Sequence, residues 1–254
     1  VRHRLDPREA FGLTPWDRGV CRRRLEALRH DGIYTPPSLQ GSLAIPGNAG
    51  GINWGGVAVD PERQLLLANV QDLPWTVRLV PRDRIPEDLD GYLAPMEGTP
   101  YRMHRELLLS PVGMPCSPPP WGKLVAVDLR TGEIAWERPV GTLRDLAPIP
   151  LPITVGIPNL GGPLVTAGGV TFLGATLDRT FRAFDTATGE ELWHWRLPAG
   201  GQATPMTYRA REGGRQVVLI AATGYGRAPG GVGDAIVAFT LGGAPPAPRD
   251  ADRP

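Results

Sequence analysis

Four histidines, two cysteines and scattered single carboxylates are the groups in this sequence that could move a proton or hold a metal. His3, His30, His104 and His194 show no ligand spacing, and each reads as a solvated side chain. Cys21 and Cys116 stand 95 positions apart, with no CxxC and no histidine close by, which argues against a zinc site. Their default reading is two buried free thiols, with a single disulfide as the alternative if the protein is exported. Trp54, in INWGG, has the flat face needed to stack on a planar ligand. Seven tryptophans in a β-repeat protein are mostly packing, however, so Trp54, Trp136, Trp193 and Trp195 read as structural. Asn69 in LLLANVQDL reads locally as the close of a strand, Gly161 and Gly162 in NLGGP as a turn, and Asp178 in GATLDRTF as a hairpin cap.

The elements that must position these groups are short strands. Among 254 residues there are 33 Gly and 29 Pro, a level that in a polar chain would mean disorder. Here 41% of residues are apolar and the glycines punctuate hydrophobic runs, which fits a turn-rich β protein. Basic and acidic residues nearly cancel, 27 against 26, so charge gives no case for a nucleic-acid partner or an anionic membrane surface. No signal peptide and no run of about 18 apolar residues is evident. The chain opens on Val1, and VRHRLDPREA reads as the middle of a longer protein.

Along the chain, RGVCRRRLEALRHDG predicts one short helix near 17–31, with Asp17 as N-cap, Gly32 as stop and the arginines on its wet face. VAVD, QLLLAN and TVRLV then read as strands, and Arg82 to Tyr101 as a long surface loop. A repeat follows. AVDLRTGEIAW (126–136) reappears as AFDTATGEELW (183–193), placing Trp136 and Trp193 57 positions apart. A worn third copy, with Ala238-Phe239 at its core, follows after 55 more. Four antiparallel strands recurring every ~55 residues describe a β-propeller blade, whose two apolar faces are buried only by stacking on neighbours. The tryptophan after each TG turn would wedge against the next blade. The domain reading is therefore a partial propeller of four to five blades over 1–241 and a disordered tail over 242–254.

The phrase A-(V/F)-D-x-x-T-G-E-x-x-W resembles the tryptophan-docking motif of quinoprotein dehydrogenases, propellers that carry pyrroloquinoline quinone (PQQ). Further segments, GGINWGGVAVDP, GMPCSPPPWGKLVAVDL, IPNLGGPLVTAGGVTFLGATLD and LPAGGQATPMTYR, are similar to successive parts of the membrane-bound PQQ-dependent glucose/quinate dehydrogenases. That resemblance implies an all-β, eight-bladed ring of which this chain is the C-terminal part, since eight blades need roughly 440 residues. It implies N-terminal helices that anchor the parent to the inner membrane, a periplasmic catalytic face, a sugar or polyol substrate and ubiquinone as acceptor. It also implies that the catalytic aspartate and the ligands of Ca²⁺ (or Mg²⁺) lie in the missing N-terminal half, so that no catalytic or metal residue falls in this chain.

By the same resemblance Asn69 would lie against the quinone carbonyl edge, where an amide can donate without titrating. Leu160 with Gly161 and Gly162 would approach the cofactor plane, where glycines let backbone come close. Asp178 would stand near the central funnel. Tyr225, in TGYGR, occupies the position where glucose-oxidising members typically carry histidine, which weakens the case for glucose as substrate. The competing reading is a non-enzymatic envelope propeller, a scaffold or an inactive remnant without its catalytic half.

Overall fold

The computed structural model describes residues 2–47, 50–84, 91–146, 152–226 and 231–242. Its single α-helix among these, α1 (Pro15–Glu26), starts one turn earlier than the arginine run suggests. Thr14 is the N-cap, its side chain accepting from Asp17 N, and Pro15 takes the first helical position, where a missing N–H costs nothing. Asp17 instead reaches back to accept from Leu13 N at 3.0 Å. The helix stops at Glu26, well before Gly32, because Arg29 turns away to exchange backbone hydrogen bonds with Gly41 and Leu43.

Fifteen strands follow in order among the described residues: β1 (Ser42–Ala44), β2 (Val57–Asp60), β3 (Leu65–Gln71), β4 (Trp75–Pro81) and β5 (Tyr92–Pro95); then β6 (Tyr101–Leu107), β7 (Gly122–Asp128), β8 (Ile134–Pro139), β9 (Leu164–Val165) and β10 (Val170–Leu173); finally β11 (Thr180–Asp185), β12 (Glu191–Arg196), β13 (Met206–Arg209), β14 (Gln216–Gly224) and β15 (Val232–Phe239). They form four antiparallel sheets: β2-β3-β7-β8, β9-β10-β11-β12, β13-β14-β15 and β1-β4-β6-β5. The first three are successive blades. The fourth is an insertion, because the chain leaves β3 for β4 and re-enters the first blade only at β7. The described residues between Gln71 and Gly122 therefore lie outside the strands of the first blade. The stretch 82–101 expected as loop contains β5, paired with β6 from Tyr92↔Arg105 to Pro95↔Arg102. The expected tail over 242–254 lies, apart from Gly242, outside the described residues.

The blades bury their faces against one another. Leu65, Leu67, Leu124, Ala126 and Trp136 of the first blade pack on Leu173, Ala175 and Phe184 of the second. Phe181 and Leu197 of the second pack on Val218, Ile220 and Ala222 of the third. Trp136 is buried in the first seam, as the repeat predicts. Trp193 departs from expectation and stays 37% exposed, packing edge-on against Phe239. It meets a β15 partner with no TG turn after it, because Thr240-Leu241-Gly242 replaces the turn of the earlier copies.

The two cysteines are not free thiols. Cys21 and Cys116 form a disulfide and are fully buried with Leu5, Ala10, Leu25, Leu43, Ile45 and Leu108. The bond ties α1 to the irregular segment that leads back into the first blade. Spacing of 95 residues carries no pairing information, which is why the sequence left both readings open.

Candidate functional site

The segments leading into the first strand of each blade are rich in glycine, and they converge. Gly55, just before β2, touches Gly162, just before β9, so closely that a Cβ on Gly162 would lie 2.0 Å from the Gly55 carbonyl oxygen. A Cβ on Gly161 would lie 2.7 Å from the carbonyl oxygen of Gln202, in the segment entering β13. Only residues without a side chain let three blades' backbones meet in this way. Gly200 O accepts from Gly224 N at 2.8 Å, which brings in the end of β14 and Tyr225 beyond it.

Two aromatics stand at this junction. The rings of Trp54 and Tyr225 meet edge to face, 5.9 Å between centroids, and Trp54 is 59% exposed. Trp54 is thus not buried in a blade seam as Trp136 is, though it packs against an aromatic of another blade. Its signal was adjacency: it precedes the glycine pair Gly55-Gly56, which a buried wedge does not require. Asn53 beside it accepts from Trp54 N through Oδ1 at 2.8 Å, fixing the turn.

The four residues expected at the site sit as follows. Asn69, on β3, is buried, and its Nδ2 donates to Gly161 O at 2.5 Å, while Oδ1 is buried without a partner. Asn69 and Gly161 are thus brought together, with one of the two amide N–H bonds holding the glycine segment. Leu160 donates from its backbone N to Ala175 O at 3.3 Å. Asp178 stands further back, and its carboxylate faces the protein: Oδ2 accepts from Thr142 N at 2.8 Å and from Arg182 Nη2 at 2.5 Å, and Oδ1 from Thr176 Oγ1 at 2.7 Å. Burial pushes this carboxyl up, but the hydrogen bond and charge of Arg182, with Thr176 and Thr142, hold it net below the usual carboxylate range.

Sequence reasoning did not single out Gln202 and Asn159. Both are buried; Gln202 Nε2 donates to Thr176 O at 3.4 Å while its Oε1 has no partner, and neither polar atom of the Asn159 amide has one. Buried amides left open beside a glycine-lined backbone floor and two exposed aromatics suit a flat, polar, hydrogen-bonding ligand such as a tricyclic quinone. No cluster of His, Cys, Asp and Glu able to hold a metal occurs among the described residues. No helix among them is long and apolar enough to cross a membrane.

Comparison with known proteins identifies the family and the fold. Residues 1–218 match the PQQ family described as the glucose/ethanol/alcohol dehydrogenase β-propeller domain. The chain is 44% identical over 251 residues to the quinoprotein glucose dehydrogenase of Escherichia coli strain K12, covering 93% of this chain and 31% of that protein. It is 42% identical over 250 residues to the probable quinate dehydrogenase (quinone) of Xanthomonas campestris pv. juglandis, covering 93% and 32%. Among solved structures, the quinohemoprotein alcohol dehydrogenase of Comamonas testosteroni superposes with a TM-score of 0.54 at 26% identity, over 82% of this chain and 29% of that one. The chain thus spans about a third of the length of the curated relatives it matches.

Proposed function

The chain belongs to the PQQ dehydrogenase β-propeller family, and from that premise we propose that it forms the C-terminal part of a membrane-bound quinoprotein that oxidises a sugar or polyol at an alcohol carbon. The observation that carries this reading is the convergence of Trp54, Tyr225 and the Gly55–Gly162 contact at one blade junction, with the open amides of Asn69 and Gln202 beside it.

When bound, PQQ supplies a two-electron acceptor for the hydride on the substrate's alcohol carbon. Within this chain, Leu160, Gly161 and Gly162 provide a floor that backbone alone defines, and Trp54 an apolar edge that excludes water. Asn69 steadies the floor through Gly161 and retains an amide N–H for a quinone or carboxylate oxygen. None of these groups can act as the general base, and we place that base and the Ca²⁺ or Mg²⁺ ligands, as the family resemblance implies, in polypeptide outside this chain. Asp178 does not serve as that base, since its oxygens are committed to Arg182, Thr176 and Thr142. Tyr225 at the site mouth in place of histidine favours a substrate other than glucose, of which quinate-type polyols are the nearest class. Ubiquinone as acceptor and the periplasmic face complete the proposal, and the Cys21–Cys116 disulfide supports an oxidising compartment.

Titrating PQQ into the full-length apoprotein tests this reading. Trp54→Ala, which removes an exposed ring and leaves the core intact, is expected to weaken PQQ binding about fivefold; unchanged affinity would count against the junction as the site.

A further inference from the structure

Arg182 is out of place for its repeat. The three copies align Ala126, Ala183 and Ala238, and the residue before each is Val125, Arg182 and Val237. Two blades thus place a valine where the middle one places a guanidinium that is only 5% exposed. That guanidinium donates from Nη2 to Asp178 Oδ2 at 2.5 Å and from Nη1 to Asp178 Oδ1 at 3.2 Å and Thr176 Oγ1 at 2.9 Å, and its Nε faces Glu191 at 3.3 Å. Positions one repeat before and after Asp178 hold Trp121 and Gly233, so the ion pair is peculiar to this blade. Buried pairs seldom stabilise more than the apolar residues they replace, and the valines show that the blade does not need one to fold.

What the pair does hold is the segment 174–178. Ala175 adopts a φ of 44°, a left-handed backbone that a non-glycine residue keeps only when its surroundings fix it. Its N–H donates to Gly201 O at 2.7 Å, and its carbonyl accepts from Leu160 N. Thr176, gripped by both Arg182 and Asp178, accepts the Gln202 amide at its carbonyl and bridges Asn159. One strained segment therefore sets the Leu160 side and the Gln202 side of the junction together.

We propose that Arg182, acting through Asp178 and Thr176, is a positioning residue for the quinone cradle formed by Leu160, Gly161 and Gln202. The inference rests on the cofactor site assigned above. The test uses the full-length apoprotein, with PQQ affinity from fluorescence titration, the midpoint potential of bound quinone and thermal melting measured side by side. The double variant Asp178→Leu/Arg182→Val installs an apolar pair like those of the other blades. It is expected to melt near the wild type but bind PQQ about tenfold more weakly, the scale on which the outer partners of a binding group act. Arg182→Lys keeps the charge without the two-pronged grip and is expected to fall between the two, with a shifted potential. Wild-type affinity and potential in a folded double variant overturn the proposal. If the double variant does not fold, the same result in Arg182→Lys overturns it. Failure of the wild type itself to bind PQQ would instead remove the site assignment on which the inference stands.

Discussion

Trp136 on the outer strand of the first blade lies on Gly189 in the TG turn of the second. Its Nε1 donates to Thr186 O at 3.2 Å, and a Cβ on Gly189 would sit 2.6 Å from the ring. Gly189 has a φ of 71°, so glycine is required there by backbone conformation as well as by the ring above it. The repeated phrase is thus a lock and its keyhole at this seam: Trp136 needs the glycine of the next copy's turn. Trp136→Ala is expected to destabilise the protein by about 3–5 kcal/mol, and Trp193→Ala, at a ring 37% exposed, by clearly less. Gly189→Ala is expected to cost about 1–3 kcal/mol, and less when Trp136 is already alanine. Urea unfolding of the four variants checks this, and strict additivity of Trp136 and Gly189 would contradict the docking.

The Cys21–Cys116 bond closes a loop of 95 residues over the inserted sheet. Cys21→Ser/Cys116→Ser is expected to lower stability by about 2–5 kcal/mol. Thiol titration of the unfolded, unreduced protein is expected to find no free cysteine. One thiol per site would show that the bond does not form in the cell.

Asp178 gives stability a pH dependence whose sign is fixed. Its folded-state carboxyl lies below the ordinary value of 3.8 because Arg182, Thr176 and Thr142 outweigh the cost of burial. Its contribution is therefore fully present above the unfolded pKa and fades as pH falls through the folded one. Glu191, which faces Arg182 Nε, is the other carboxylate at the pair. Asp178→Asn is expected to flatten the loss of stability below pH 4, measured as melting temperature against pH. An unaltered acid limb would show that the pair is not coupled to folding.

How much of this was legible in sequence follows from how local each feature is. Asp128 and Asp185 sit one before the turn and accept its backbone N–H groups, from Arg130 in the first copy and from Ala187 and Thr188 in the second. The turn, its aspartate and the tryptophan were therefore readable as a unit. The inserted sheet was not, because β4 reads like any blade strand and only pairing with β1 and β6 sets it apart. The exposure of Trp54 and Trp193 was not legible because burial depends on what arrives from another blade. The Asp178–Arg182 pair was invisible because four residues across a hairpin turn carry no contact rule, unlike four along a helix. Leu160, Gly161 and Asn69 were named from family resemblance, and geometry adds that Asn69 reaches Gly161.

The third blade has three strands among the described residues, and β15 ends its sheet with Val232 and Ile236 exposed. An edge of eight residues with apolar side chains is a template for pairing. The isolated 254-residue chain is expected to sediment as a dimer or larger species; a well-folded monomer would speak against an incomplete ring.

The most direct test of the whole account is turnover. The isolated chain and the full-length polypeptide are each supplied with PQQ, Ca²⁺ and an artificial electron acceptor, with quinate or glucose as donor. Dye reduction is expected from the full-length protein and none from the chain alone. Turnover by the chain alone, or its absence from the full-length protein, would contradict the claim that these blades are one sector of a quinone-bearing ring whose base lies elsewhere.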